Sequence, residues 1–430
     1  MTEYFNKILE KIQNHKLHQL EVGDDLIMPY YDGLSLVNIP GTISHLLSAP
    51  RFGQGPLDPI LLDELGGSYE KVVLLLVDAM GQHLFKDQLL PERNTVWGRH
   101  LDKAVYAPIT SICPSTTASA LTSLWTGVGP SVHGIIGYEM WAKEYGMLIN
   151  NINHSAASSR GDTGGLSRSG FDPHLFMPAP RLGTHLISNG IRASAYMHSS
   201  ITNSGLSLMQ LDDVNLERYY DEADLWVSLA EFMNGRPNTR EYIYVYYSHV
   251  DSLMHRFSAQ NKRVELQFDA FSSIFEEAFL NMLEAEIARK TLFILLADHG
   301  SMTTPQRERY ELRKHPELLD KLVMQPTCEN RLAFFYIKPG KVQAVRGYIE
   351  RYWGDEFYLV DSDVALESGL FGKGPFHPSA HERVGDLIAI ARGDAYFWWA
   401  LKTNHMMGRH GGLHASEMLV PFYALPLGEI

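Results

Sequence analysis

Val72-Val73-Leu74-Leu75-Leu76-Val77-Asp78 is a run of six apolar residues closed by an acid. Such a run reads as a parallel strand buried on both faces. Asp78 then stands at the C-terminal edge of the sheet, where open α/β sheets bind their ligands. Downstream lies Cys113-Pro114-Ser115-Thr116-Thr117-Ala118-Ser119-Ala120-Leu121-Thr122-Ser123-Leu124-Trp125-Thr126-Gly127. Pro114 and Ser115 break regular structure, Thr117 is placed to start a helix, and Gly127 to stop it. A hydroxyl at a helix N-terminus faces unpaired N–H groups and the positive end of the dipole, which suits an anion or an alkoxide attacking one. Taken singly, each piece has a plainer reading: an Asp ending a strand is often a turn former, and a Ser or Thr before a helix is usually an N-cap.

Outward from this stretch the pattern is α/β. Strands are predicted at Val72–Val77, Ala104–Ala107, Ile191–Met197, Tyr242–Tyr247, Thr291–Ala297, Leu332–Ile337, Tyr358–Val360 and Leu387–Ala391. Between them Arg263–Ile287 and Lys341–Tyr352 carry apolar residues at intervals of three and four, the helical period. Alternation of this kind implies a three-layer α/β/α sandwich around a mostly parallel sheet. The expected division is an N-terminal helix and Gly/Pro-rich extended arm over 1–70, a catalytic domain over 71–302 and 379–430, and an inserted cap-like subdomain over 303–378. Asn150–Pro180, with Ser158-Ser159-Arg160-Gly161-Asp162-Thr163-Gly164-Gly165, reads as a loop over a site.

At 45% hydrophobic residues the 430-residue chain can bury a large core. A net charge of −13 makes it a poor general binder of nucleic acid, whose affinity rests on Lys and Arg contacts to phosphates. Two cysteines, Cys113 and Cys328, give no disulfide framework and no metal knuckle. No run approaches the length of a membrane span, and the first twenty residues lack the apolar core of a signal peptide, so a soluble cytoplasmic protein is expected.

Three more clusters end or follow strands. Asp251 and His255 are four apart after Tyr242–Tyr247, a spacing that puts both on one helix face. Asp298-His299-Gly300 closes Leu292–Ala297, and His410-Gly411-Gly412-Leu413-His414 precedes Met418–Phe422. With 19 histidines in the chain, one such pairing arises easily by chance. Asp78, Asp251 and Asp298 together are different, because all three follow apolar runs whose ends share one sheet edge. Carboxylates and imidazoles gathered there repel unless cations bind them. Mixed Asp/His ligation favours zinc or a similar transition metal over calcium. Two such ions roughly 4 Å apart clamp a phosphoryl group and activate a nucleophile.

With these residues in place the chain resembles the alkaline phosphatase superfamily, most closely its type I phosphodiesterase/nucleotide pyrophosphatase family. The resemblance runs from Val72 to Phe422 in the family's motif order. Pro114-Ser115-Thr116-Thr117 resembles the nucleophile segment, and by spacing to Thr126-Gly127 the match is Thr117. His133-Gly134-Ile135 follows, then Asp251/His255, Asp298-His299-Gly300 and His410-Gly411-Gly412. The resemblance implies one zinc held by Asp251, His255 and His410, and another by Asp78, Asp298 and His299 with the Thr117 oxygen. It implies a covalent phospho-threonine, hydrolysed by a water activated at the first zinc. His414 is a rival to His410. The family's diesterase branch carries an Asn shortly after HGI. Tyr138 stands there in this chain, a phenol able to donate one hydrogen bond to a phosphoryl oxygen.

The expected activity is therefore hydrolysis of phosphodiester or pyrophosphate bonds in a small nucleotide-type substrate. Phosphomonoester or phosphonate hydrolysis, or phosphomutase chemistry, is the alternative on the same two-metal scaffold; a non-catalytic, metal-stabilised binding protein is the further one. The missing Arg after Cys113-Pro114-Ser115 argues against a sulfatase. Trp141, Tyr138 and Phe171 are aromatic candidates for stacking on a base, with packing an equal explanation.

Overall fold

The computed structural model describes residues 3–158 and 162–430. Its central sheet has seven strands in the order Val105–Thr110, Leu419–Pro426, Thr291–Leu296, Lys71–Val77, Glu241–Tyr247, Arg192–His198 and Asn215–Tyr219. Leu419–Pro426 runs antiparallel to both neighbours, while the pairs from Thr291–Leu296 to Asn215–Tyr219 are all parallel. Residues 71–77 are buried throughout, as a strand covered on both faces requires.

Helices cover both faces. On one, Trp125 of the helix Thr117–Thr126 packs edge-on against Tyr242 and Tyr244, with ring centroids 5.9 and 5.3 Å apart. On the other, Tyr247 stacks on Phe271 at 4.1 Å and Phe293 meets Phe275 at 4.8 Å, both phenylalanines from the helix Lys262–Phe275. The strand's alternation thus divides Tyr242 and Tyr244 from Tyr247, giving the expected three layers.

Register decides where the acids go. Val77 pairs with Tyr247, and Leu76 with Leu296. Two residues beyond the Leu76–Leu296 pair, Asp78 and Asp298 leave the same edge of adjacent strands. Asp251 follows Tyr247 in the first turn of the helix His249–Phe257.

A second seven-stranded sheet, antiparallel, runs Phe357–Asp361, Leu387–Ala391, Leu332–Phe335, Thr327–Glu329, Glu139–Ala142, Met147–Asn150 and Ser155–Ala156. Leu332, Phe334, Ile388 and Ile390 face the main core. The alternate residues Ala333, Phe335, Leu387 and Ala389 pack on Val345, Ile349 and Trp353 of the helix Val342–Trp353. The segment 303–378 supplies three of these strands. Leu387–Ala391 and the three strands between residues 139 and 156 lie outside it, so the second layer is assembled from stretches far apart in the chain.

Several local expectations are corrected. Arg263–Ile287 is not one helix: the α-helix Lys262–Phe275 widens into a π-turn at Glu276–Leu280 and stops before Ala285–Ala288. Asn234 intervenes there, donating to the Met282 carbonyl and accepting from the Glu284 N–H. The region 1–70 is more than a helix and an arm. Besides Glu3–Gln13, whose Phe5 packs on Tyr106 at 5.3 Å, it holds the buried helix Ile39–Leu46 beside the Thr117 helix. Pro40 and Gly41 read as breakers, but Pro is tolerated in the first helical turn. The close approach behind the Thr117 helix needs glycine: a Cβ on Gly53 would sit 2.6 Å from the Gly127 carbonyl oxygen. Asn215–Tyr219 is a strand that the apolar pattern does not mark. Ser159, Arg160 and Gly161 of the expected loop lie outside the described residues. Among those described, the segment carries a 3-10 helix, Gly165–Ser169, and Phe171 is buried against His154 and Phe176.

Candidate active site and metal centre

The ends of three parallel strands deliver Asp78, Asp298-His299 and Asp251 to one place, and two loops bring Thr117 and His410 across to them. Ligand atoms of Asp78, Asp298 and His299 lie within 4.8 Å of one another, as do those of Asp251, His299 and His410. His299 Nε2 is 3.5 Å from both Asp78 Oδ1 and Asp298 Oδ2, and 3.2 Å from the Thr117 hydroxyl. At the other end His255 Nε2 is 3.3 Å from Asp251 Oδ2. The His410 ring stacks on His299 at 3.8 Å and lies 5.1 Å from His255. All seven residues singled out as ligands and nucleophile are therefore brought together. His414 is directed elsewhere: its Nδ1 accepts from the Ser416 N–H and caps the short helix Ala415–Met418.

The hydrogen bonds around these groups show what they are prepared for. His299, His255 and His410 each set Nδ1 against a backbone carbonyl, of Gly300, Gly408 and Ser115, at 2.9, 2.9 and 3.1 Å. With the proton on Nδ1, each ring offers the Nε2 lone pair, the arrangement of metal-ligating histidines. Asp298 uses Oδ1 to accept from the Ala79 and His299 N–H groups. Asp78 accepts the Tyr246 hydroxyl on Oδ2. Asp78 Oδ1, Asp298 Oδ2 and Asp251 Oδ1 are buried with no hydrogen-bond partner among the described residues. An unpaired buried carboxylate oxygen is costly, and three aimed into one space are matched by cations. The donor set fits divalent metal ions of the zinc type.

The electrostatics agree. Burial, and then the Asp298 and Asp251 charges, push the Asp78 carboxyl well above the usual carboxylate range, while the Tyr246 hydroxyl pulls it back. Burial, reinforced by His299 and His255, drives His410 well below the ordinary imidazole value. Burial thus disfavours a charged His410 imidazole and an ionised Asp78 carboxylate where no cation is bound.

The nucleophile segment separates its three hydroxyls. Ser115 donates to the Gly412 carbonyl at 2.7 Å, and Thr116 donates to Glu329 at 2.5 Å. Only Thr117, first residue of its helix, faces His299. His133 of the following segment lies in the core, bonded to Ser123 and the Ile135 N–H, with burial pushing its pKa down to about 3. Tyr138 is 40% exposed and lies near Asn150, Glu139 and Glu329.

Four residues that sequence reading missed complete the surroundings. Tyr246 holds Asp78. Glu329 takes the Thr116 hydroxyl; its carboxyl is pushed up to about 8 by burial. Arg331 and Glu417 form a fully buried, two-pronged ion pair at 2.8 Å, and Glu417 also accepts the Gly412 N–H at 2.9 Å. This pair fixes the turn that carries His410. The signal available was an arginine opening the apolar run Arg331-Leu332-Ala333-Phe334-Phe335.

Comparison with known proteins agrees with this geometry. No curated protein matches the sequence. Among solved structures, murine ectonucleotide pyrophosphatase/phosphodiesterase 5 superposes with a TM-score of 0.59 at 16% identity, over 83% of this chain and 88% of that one. An inactive variant of it in complex with AMP gives the same TM-score at 15% identity, over 83% and 87%. Phosphonoacetate hydrolase from Sinorhizobium meliloti 1021, in complex with phosphonoformate, gives 0.56 at 14% identity, over 82% and 89%. At these identities the likeness establishes the fold. The sequence profile described as type I phosphodiesterase / nucleotide pyrophosphatase matches residues 72–413. That span takes in every strand of the site and each of the converging side chains, so the chain belongs to the type I phosphodiesterase/nucleotide pyrophosphatase family of two-metal phosphoester hydrolases.

Proposed function

We propose that the chain cleaves phosphodiester or pyrophosphate bonds of small nucleotide-type substrates by attack of Thr117 on phosphorus, at a site holding two zinc ions. The supporting observation is the meeting of the Thr117 hydroxyl with three partnerless carboxylate oxygens and three Nε2 lone pairs. Asp78, Asp298, His299 and the Thr117 oxygen would hold one ion; Asp251, His255 and His410 the other. Divalent cations there supply the charge that ionises a hydroxyl near neutral pH and screens phosphoryl oxygens.

The chain's own residues do the rest. The helix Thr117–Thr126 turns its unpaired N-terminal N–H groups toward the same space, a favourable setting for phosphoryl oxygens. The Asp298 Oδ1 bonds and the Nδ1–carbonyl bonds fix the ligand atoms before substrate arrives, which lowers the reorganisation needed during reaction. Thr117 forms a phospho-threonine as the leaving oxygen departs with its electron pair, and water then frees the enzyme. A neighbouring structure with AMP supports a nucleotide moiety. A phosphonate substrate is the second reading, favoured by the likeness to phosphonoacetate hydrolase and by Tyr138 in place of the branch's Asn. Cytoplasmic residence belongs to the same proposal, with both cysteines free and buried.

The test is hydrolysis of bis-p-nitrophenyl phosphate against p-nitrophenyl phosphate by zinc-loaded protein. Preference for the diester, abolished by Thr117→Ala, is expected. Full activity in Thr117→Ala would remove Thr117 as nucleophile, and preference for the monoester would remove the diesterase reading.

A further inference from the structure

The strand Thr327–Glu329 carries the second sheet up to the nucleophile segment. Its last residue, Glu329, accepts the Thr116 hydroxyl on Oε1 at 2.5 Å, one residue before Thr117. The same side chain lies against the turn that carries His410: a Cβ on Gly411 would sit 2.4 Å from the Glu329 Cβ. Gly411 has φ +106°, so its backbone as well as its missing side chain suits that contact. Ser115 closes the triangle. Its Oγ accepts the Gly411 N–H at 3.2 Å, and its carbonyl faces His410 Nδ1 at 3.1 Å. The nucleophile turn and the His410 turn thus meet each other directly and meet again on one carboxylate.

An acid at this place is costly. Cys328, just before it, has φ +76°, in the left-handed region that a non-glycine residue rarely takes. Gly137 makes room for that backbone, since a Cβ there would lie 2.8 Å from the Cys328 Cα. Cys328 pairs with Glu139, and the Gly137 N–H donates to Ser119 of the Thr117 helix at 2.8 Å. The strongest charge effects on the Glu329 carboxyl come from Glu139, Asp251 and Glu417, and all three are repulsive. An ion pair therefore does not account for the acid. Strained backbone and a repelled carboxyl group concentrate at functional sites.

What Glu329 touches tells its task. Its bond goes to Thr116 and its packing to Gly411, so it acts through the neighbours of Thr117 and His410. Thr116 is the N-cap of the helix Thr117–Thr126, yet its side chain makes no capping bond. An N-cap threonine ordinarily turns its oxygen onto the second or third N–H of its helix. Here the hydroxyl is turned outward onto Glu329, and the N-terminal N–H groups stay free beside Thr117.

We infer that Glu329 is a positioning residue: it draws the Thr116 hydroxyl off the helix N-terminus and holds the Thr117 turn against the His410 turn. The inference rests on the hydrolase reading above. In Glu329→Ala the Thr116 hydroxyl is released to cap its own helix, and Thr117 and His410 lose their common support.

The experiment compares wild type with Glu329→Ala, Glu329→Gln, Thr116→Val and the Glu329→Ala/Thr116→Val double variant. Zinc affinity is read by calorimetry, and turnover of bis-p-nitrophenyl phosphate at saturating zinc. Partners that orient metal ligands are worth about 10- to 100-fold in metal affinity or activity. Glu329→Ala should lose on that scale in zinc affinity and in kcat, with KM changed by no more than about twofold. Glu329→Gln, whose amide oxygen still accepts the Thr116 hydroxyl, should recover most of both. Thr116→Val should show part of the loss, and the double variant should fall no further than Glu329→Ala, because the two side chains act as one unit. Wild-type zinc affinity or wild-type kcat in Glu329→Ala would overturn the inference. So would a glutamine variant as impaired as the alanine one, additive losses in the double variant, or a rise in KM alone, which marks a substrate contact. If Glu329→Ala does not fold, the other single variants decide: an impaired Thr116→Val beside a near-wild-type Glu329→Gln supports the inference, and any other pairing overturns it. Failure of wild type to hydrolyse the ester would count against the hydrolase reading and leave the zinc titrations to decide the role of Glu329.

Discussion

The Thr117 hydroxyl lies 3.2 Å from His299 Nε2, and the same nitrogen is 3.5 Å from Asp78 and from Asp298. The hydroxyl proposed as nucleophile thus lies within one cluster of candidate ligands rather than beside it. Ser115 and Thr116 are each spent on structural bonds, so neither can replace it. Thr117→Ala should lower kcat by at least about 10³-fold, as removal of a nucleophile does, with unchanged thermal stability. Thr117→Ser should retain a substantial part. Steady-state rates on bis-p-nitrophenyl phosphate, with a melting curve for each variant, check both.

Arg331 and Glu417 are fully buried, and Glu417 also holds the Gly412 N–H beside His410. Removing one partner leaves a buried charge uncompensated. Arg331→Met should destabilise the fold by about 3–5 kcal/mol. It should also weaken metal binding, because the His410 turn loses its anchor. Chemical denaturation and a zinc titration read the two effects separately.

The sequence showed the site better than the scaffold around it. Asp78, Asp251 and Asp298 were legible because each ends or follows an apolar run, and parallel register carries such ends to one edge. The second sheet was not, because Glu139–Ala142 and Thr327–Glu329 are short and meet through a pairing between residues 139 and 328. Nothing local records so distant a partnership. The same holds for Arg331 and Glu417, which lie 86 residues apart. The helix Ile39–Leu46 was hidden by Pro40 and Gly41, residues whose local preference is overridden by burial against the Thr117 helix.

Chelation should act on stability as well as activity. Without cations the Asp78, Asp251 and Asp298 oxygens face one another without partners, and Asp78 is relieved only by taking up a proton. Treatment with EDTA should abolish turnover and lower the melting temperature, both restored by zinc. Asp78→Asn should reduce the stabilisation by zinc while costing the metal-free protein little, since it removes a repelled charge. Melting curves with and without zinc for the two proteins test this.

His133 gives a pH dependence away from the metal cluster. It is fully buried, with its two ring nitrogens engaged by Ser123 and the Ile135 N–H, and its pKa is pushed down to about 3, first by burial and then by His377. Its unfolded pKa is about 6.5. Between these values the unfolded chain binds a proton that the folded chain refuses, so stability rises with pH. The contribution is complete above about pH 6.5 and is lost as pH falls toward 3, at about 1.4 kcal/mol per unit for one proton. His154 and His377, both pushed down to about 4, steepen the fall. Replacing His133 by Gln removes its proton from the balance. The variant should be less stable than wild type at pH 7, and the gap should narrow as pH drops from 6.5 to 5. Urea denaturation across that range measures the gap directly; a difference independent of pH would show that His133 carries no linked proton.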